Sequence, residues 1–260
     1  MKRILFFLYG VIAYAIFFAT FSYAVGFVST LLVPKHIDSA RAVPLSNALL
    51  INAALLSLFA LQHSIMARPA FKRWWTKTVP EVIERSTYVL FSSICLLLLF
   101  WYWQPLGGVI WQVESPSLQV ALHALCLLGF TIVLVSTFLI NHFDLFGLRQ
   151  VWLYLVGKKY EPLPFRIPIF YKYVRHPLYF GFLIAFWSTP TMTAAHLFFA
   201  VMTTGYILIA IQFEENDLVK HFGEKYIEYK KSAHMIIPFM KSSVGKQTEQ
   251  HQSESGRINS

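Results

Sequence analysis

Charge is scarce in this chain. Of 260 residues only 13% are Asp, Glu, Lys or Arg, about half the fraction of an ordinary soluble domain. Residues 4–33 contain none at all. That scarcity excludes a soluble globular class. Cysteine is scarcer still: Cys95 and Cys126 are the two in the chain, both inside apolar runs with no Cys-x-x-Cys spacing. A disulfide framework or a zinc site is therefore excluded, and both thiols read as small buried hydrophobes. The nine histidines are scattered, with no His-x-x-x-His pair. A clustered-histidine centre of the membrane di-iron type is excluded, and no metal is expected. There is no glycine-rich phosphate loop, no Gly-x-Ser-x-Gly and no internal repeat.

What is present is apolar and aromatic. Hydrophobic residues make up 56%, aromatics 17%, and mean hydropathy is +0.53. Several runs reach the roughly 20 residues that cross a bilayer core. Backbone groups in lipid must be paired within the segment, so such runs are helices. The expected fold is all-α: a polytopic membrane bundle of five to six transmembrane helices, ending in a helical hairpin. Spans are predicted at 4–33, 45–66, 87–104 and 117–140, then a pair at 178–189 and 193–213 broken at Thr189-Pro190-Thr191. The first run is too long for a signal peptide and longer than the core is thick, so it tilts or protrudes. Residues 1–240 read as one integral-membrane domain. Residues 241–260, polar and almost without apolar side chains, read as a disordered tail.

Net charge is +9, which in a soluble protein would suggest nucleic acid. Its distribution says otherwise. With the N-terminus in the cytoplasm, 20 of the 22 Lys and Arg residues fall in inside segments, leaving Lys35 and Arg41 outside. This follows the positive-inside rule. It predicts an even number of crossings, both termini cytoplasmic, a lipid bilayer as the partner and no nucleic acid.

Two segments outside the spans carry structure. Leu145, Leu148, Trp152 and Leu155 recur at helical spacing beside Arg149, Lys158 and Lys159, the pattern of a helix lying in the interface. Pro162, Pro164 and Pro168 make the following stretch extended. Residues 214–231 read as an amphipathic helix broken at Gly223.

Polar groups converge on the inner side of this layout. Arg175, His176 and Tyr179 stand where the fifth span begins; Glu214, Glu215 and Asp217 stand where the sixth ends. Gln62 and His63 close the second span; Asn141, His142 and Asp144 close the fourth. Ionisable residues at membrane depth are functional hypotheses by default. Singly, each also fits a bland role: Arg175 anchoring to headgroups, the tyrosines forming an aromatic belt, the acids continuing a solvated helix. Together the closely spaced acids, facing an anionic leaflet, point to a ligand bearing a cation or hydroxyls. Asn52 and His63 lie three helical turns apart on one face of the second span. His123 and His196, at outer span ends, need only interfacial hydrogen bonds.

The run RHPLYFG at 175–181, followed by EENDLVKHFGEKYIEYKK at 214–231, resembles the C-terminal half of the isoprenylcysteine carboxyl methyltransferase superfamily. QHSIMARPAFKRWW at 62–75, ERSTYVL at 84–90 and NHFDLFGLRQ at 141–150 resemble the nurim family, and within it the bacterial methanethiol S-methyltransferases. The resemblance covers about residues 4–239. It implies methylation of a small volatile thiol, methanethiol to dimethyl sulfide, with S-adenosyl-L-methionine as methyl donor, in a bacterial inner membrane. It implies cofactor contacts from Arg175, His176, Tyr179, Gly181, Glu214, Glu215, Tyr226 and Tyr229. Arg175 would meet the cofactor carboxylate, and Glu214 or Glu215 the ammonium or ribose diol. Catalytic candidates by position are His142, Asp144 and His63 as bases and Arg149 as a thiolate partner. Two alternatives stand beside it: an NADPH-dependent reductase of the sterol-reductase type on the same architecture, and a non-enzymatic nurim-like membrane protein. The acceptor could equally be hydrogen sulfide, another thiol or a selenol.

Overall fold

The computed structural model describes residues 1–39, 43–164 and 167–237. The tail expected to be disordered at 241–260 lies outside them. Five helices are long and apolar enough to cross a membrane: α1 (Lys2–Ser29), α2 (Leu45–Ala67), α4 (Glu81–Tyr102), α5 (Pro116–Ile140) and α9 (Ala194–Phe222). Between them come the shorter α3 (Pro69–Trp75), α6 (His142–Leu145), α7 (Leu148–Leu155) and α8 (Pro177–Trp187), and α10 (Glu224–Ser232) follows α9. The protein is thus a multi-pass membrane bundle, as its composition predicts.

Proline sets several of the starts. It occupies the first helical position of α3, α5 and α8, where its missing N–H has no partner to lose. Three predicted bounds need correction. α1 stops at Ser29 rather than 33, because Thr30 and Leu32 turn back at φ 63° and 62°. Val33 folds onto Gly26, where an added Cβ would collide with its Cγ1. α4 begins six residues before the predicted 87, since Glu81 and Glu84 in its first turn suit the helix dipole. α9 runs unbroken past 213 to Phe222, because nothing interrupts the helix before Gly223 at φ 59°. Within the 143–177 segment, Gly147 at φ 86° separates α6 from the amphipathic α7.

A feature the all-helical reading did not include is a two-stranded antiparallel ribbon, β1 (Val109–Gln112) with β2 (Thr191–Thr193). It ties the α4–α5 connection to the tip of the α8–α9 hairpin. The ribbon also closes the return that the short α8 begins. His176 contacts Glu215 at one end and Thr193 starts α9 at the other. From Ala194 to Glu215, α9 rises roughly 32 Å. The 11 residues of α8 rise about 16 Å, and the extended residues after Trp187 supply roughly 15 Å more. The return along α9 is therefore half helix and half extended chain. Three carbonyls of this stretch are satisfied within the protein, as a membrane demands. Phe186 O accepts from His196 Nε2 at 2.9 Å, Pro190 O from Val113 N at 2.9 Å, and Thr189 O from Trp111 Nε1 at 3.4 Å.

α8 leans on α5 at a point where both helices have glycine. A Cβ on Gly181 would lie 2.7 Å from Gly129 O, and one on Gly129 would lie 2.6 Å from Gly181 O. Small residues permit such close approach between spanning helices. Phe27, Phe100, Trp103, Phe130, Phe186 and Phe199 fill the adjoining core.

The two ends of the bundle differ. One end gathers the basic segments: Arg3 lies against Tyr154, Arg85 Nε donates to Leu145 O at 2.7 Å, and Arg68 meets Asp217 at 2.9 Å. The N-terminus and α10 share this basic end. At the opposite end Asn52 exchanges two hydrogen bonds with the Gln104 backbone, and Thr193 Oγ1 donates to Asp38.

Candidate active site

The two distant sequence blocks meet at the basic end. The chain before α8 and the chain after α10 run parallel. Arg175 N donates to His234 O at 2.7 Å, His234 N to Tyr173 O at 3.1 Å, and His176 N to Met235 O at 3.2 Å. This clamp carries Arg175 and His176 under the last turns of α9.

Glu215 is the centre of a lock. It is buried, at 4% exposure. Its Oε1 accepts from Arg175 Nε at 2.7 Å and faces His176 Nε2 at 3.1 Å; its Oε2 meets Lys230 Nζ at 2.8 Å. Arg175 also donates through Nη1 to Lys230 O at 3.0 Å and Ala233 O at 2.6 Å, the carbonyls that end α10. A buried carboxylate is tolerable only when paired and hydrogen-bonded in this way. Arg175, expected to meet a ligand, has these donors spent on holding α10 in place.

Glu214, one residue earlier, is differently placed. It is 43% exposed, and its Oε2 accepts from Tyr179 Oη at 2.9 Å. His176 Nδ1 lies 3.8 Å from that oxygen, beyond hydrogen-bond length. Nδ1 and the Glu214 carboxylate thus face each other across a gap that no direct hydrogen bond closes.

Tyr226 and Tyr229 are buried behind the lock, where Tyr229 Oη donates to Tyr171 O at 2.6 Å. Burial pushes the Tyr229 phenol up to about 12 and raises Tyr226 and Tyr171 as well. All three stay neutral, and the pair packs α10 against α9 with Leu218 and Val219. Gly181 turns toward α5, so its part is to seat α8.

The four catalytic candidates fall into two other places. His142 is buried between α1 and α5: Nε2 lies 2.8 Å from Tyr14 Oη and Nδ1 2.8 Å from Thr137 Oγ1. Its ring stacks on Phe138 at 4.1 Å, and burial lowers its pKa. Asp144 pairs with Arg149 at 2.9 Å and accepts from Tyr160 at 3.3 Å, while Asn141 caps its backbone N–H. Among the described residues no hydrogen bond or ion pair of these three reaches the Glu214–His176 end. His63 instead lies between α2 and α4, 2.9 Å from Tyr88 Oη and 3.2 Å from Ser92 Oγ. Sequence reasoning missed Lys230, Tyr88, Tyr206 and Tyr14; no spacing joins them to their partners, and only the folded bundle does.

Residues 50–213 match the family described as NnrU protein. A methanethiol S-methyltransferase of Crocosphaera subtropica is 55% identical over 92% of this chain and 94% of its own. The methanethiol S-methyltransferase of Mycobacterium tuberculosis is 52% identical over 92% and 98%. Nurim of Sus scrofa is 32% identical over 70% of each chain. No solved structure matches the chain. Identity of this level along nearly the whole length of such relatives places the chain in the methanethiol S-methyltransferase family, within the NnrU group.

Proposed function

We propose that the protein transfers a methyl group from S-adenosyl-L-methionine to a small thiol, methanethiol foremost, giving dimethyl sulfide. The relatives' names supply the acceptor. The half-exposed Glu214 carboxylate, with His176 Nδ1 3.8 Å from its Oε2, carries the assignment of the donor. It fits an ammonium or a ribose hydroxyl, and its charge suits a ligand of net positive charge. When bound, the cofactor supplies an electrophilic methyl on a sulfonium.

The protein's own groups do the rest. Glu214 accepts hydrogen bonds and, with His176 beside it, fixes orientation. The Tyr179 hydroxyl holds Glu214 in place, and its ring offers a face to a cation. The free amides at the start of α8 favour an anionic group. Arg175, Glu215 and Lys230 act behind these, by holding α8, α9 and α10 in register. Aligning the acceptor sulfur with the methyl is the main source of rate in such a displacement. An apolar surround also leaves the attacking thiolate weakly solvated. Following the charge distribution, the basic end faces the cytoplasm of a bacterial inner membrane, with both termini there.

Expression in a host lacking the activity, with methanethiol fed and dimethyl sulfide measured by headspace gas chromatography, tests the reaction. Dimethyl sulfide above the empty-vector level supports it. Its absence from cells whose membranes contain the folded protein overturns it. A parallel thermal shift with NADPH separates the reductase alternative.

A further inference from the structure

His63 and Tyr88 form a second polar centre, beside the face of α2 that packs against α9. On α9, Tyr206 stands about two turns before Glu214. Tyr206 of α9 reaches Ser64 of α2 at 3.1 Å and packs edge-on against Phe59, 6.4 Å between centroids. Phe59 stacks on His63 at 5.2 Å. A line of aromatic and neutral polar groups therefore leads from Glu214 to His63.

Both ring nitrogens of His63 face hydroxyls: Tyr88 Oη lies 3.0 Å from Nδ1 and 2.9 Å from Nε2, and Ser92 Oγ 3.2 Å from Nδ1. Ser92 Oγ also reaches Tyr88 O at 3.0 Å. With Ser92 donating there, Nδ1 donates to Ser92 and Nε2 accepts from Tyr88, a neutral imidazole whose lone pair is reached through a phenol. The Arg85 guanidinium sits 5.2 Å from the Tyr88 ring centroid. On the lipid side α2 exposes Leu58, Leu61 and Ile65, a surface that a small apolar molecule can cross from the bilayer.

We propose that His63, acting through Tyr88, is the base that takes the proton of the acceptor thiol. This rests on the methyltransferase reading above. The thiol S–H bond breaks as its proton passes to Tyr88 Oη, while Tyr88 passes its own proton to His63 Nε2. The phenol ends neutral, the imidazole becomes imidazolium, and the thiolate sulfur forms the new bond to the methyl as the methyl–sulfonium bond breaks. The imidazolium proton then returns to water. The products are dimethyl sulfide, S-adenosylhomocysteine and one proton. Such a base contributes 10²- to 10⁴-fold.

Methanethiol and methaneselenol separate this role from a structural one. The selenol is the stronger acid and arrives already ionised, so it needs no base. In His63→Asn and in Tyr88→Phe, kcat/KM for methanethiol should fall by about 100-fold, and that for methaneselenol by less than about threefold. S-adenosylmethionine binding by calorimetry should be unchanged in both. Equal losses for thiol and selenol overturn the proposal. Failure of the underlying reading looks different: wild-type protein then neither binds S-adenosylmethionine nor methylates either acceptor.

Discussion

The α8–α9 hairpin is closed by different chemistry at its two ends. At the ribbon end the groups are backbone amides and carbonyls, helped by His196 on the Phe186 carbonyl and Thr193 on Asp38. At the basic end they are side chains: two carboxylates, an arginine, a lysine and a histidine. Backbone pairing fixes geometry and leaves nothing over for a ligand. Charge pairing can be incomplete, and here it is. Glu215 is saturated while Glu214 has one tyrosine partner and an exposed face. The difference between two neighbouring glutamates is thus the difference between holding the fold and facing a ligand.

The sharpest way to break that comparison is to remove Glu215. Glu215→Ala leaves Arg175 and His176 buried without their carboxylate, which should cost about 3–5 kcal/mol. The half-exposed Lys230 adds little to this. A large fall in thermal midpoint, with loss of cofactor binding, is expected in detergent or nanodiscs. At the ribbon end, His196→Leu removes the donor to a buried carbonyl and should cost about 1–3 kcal/mol, with cofactor binding intact in the variant that folds. Thermal unfolding together with calorimetry checks both halves of that statement.

The smallest effect concerns pH. Burial lowers the pKa of His142 below its ordinary 6.5, so the folded protein holds it neutral and the unfolded chain binds the extra proton. Its contribution is complete above about pH 6.5 and is lost as pH falls below it. Thermal midpoints of wild type and His142→Gln should therefore converge between pH 7.5 and 5.5. A gap that stays constant would remove the argument.

Much of this was legible from the chain alone. Apolar runs and the bias of Lys and Arg gave the bundle, and RHPLYFG with the Glu-Glu pair pointed to two blocks that the structure brings within hydrogen-bond distance. The unequal duties of Glu214 and Glu215 were not legible. They depend on helix phase and on Lys230, which lies on another helix. The crossing at Gly181 was hidden because its partner, Gly129, lies on a span 52 residues earlier in the chain. The ribbon left only a trace, a β-prone Val-Ile-Trp-Gln after Gly107 and Gly108, too short to outweigh the helical pattern around it. Four catalytic candidates shared one end of the layout, yet His63 alone among them packs along the line of groups leading to α9 and Glu214.

Titrating S-adenosylmethionine into purified wild-type protein and into Glu214→Gln by calorimetry goes straight to the central assignment. The substitution keeps the size of the side chain and removes its charge. Binding weakened at least tenfold, at an unchanged thermal midpoint, is the predicted result; equal affinity in the two proteins would contradict it.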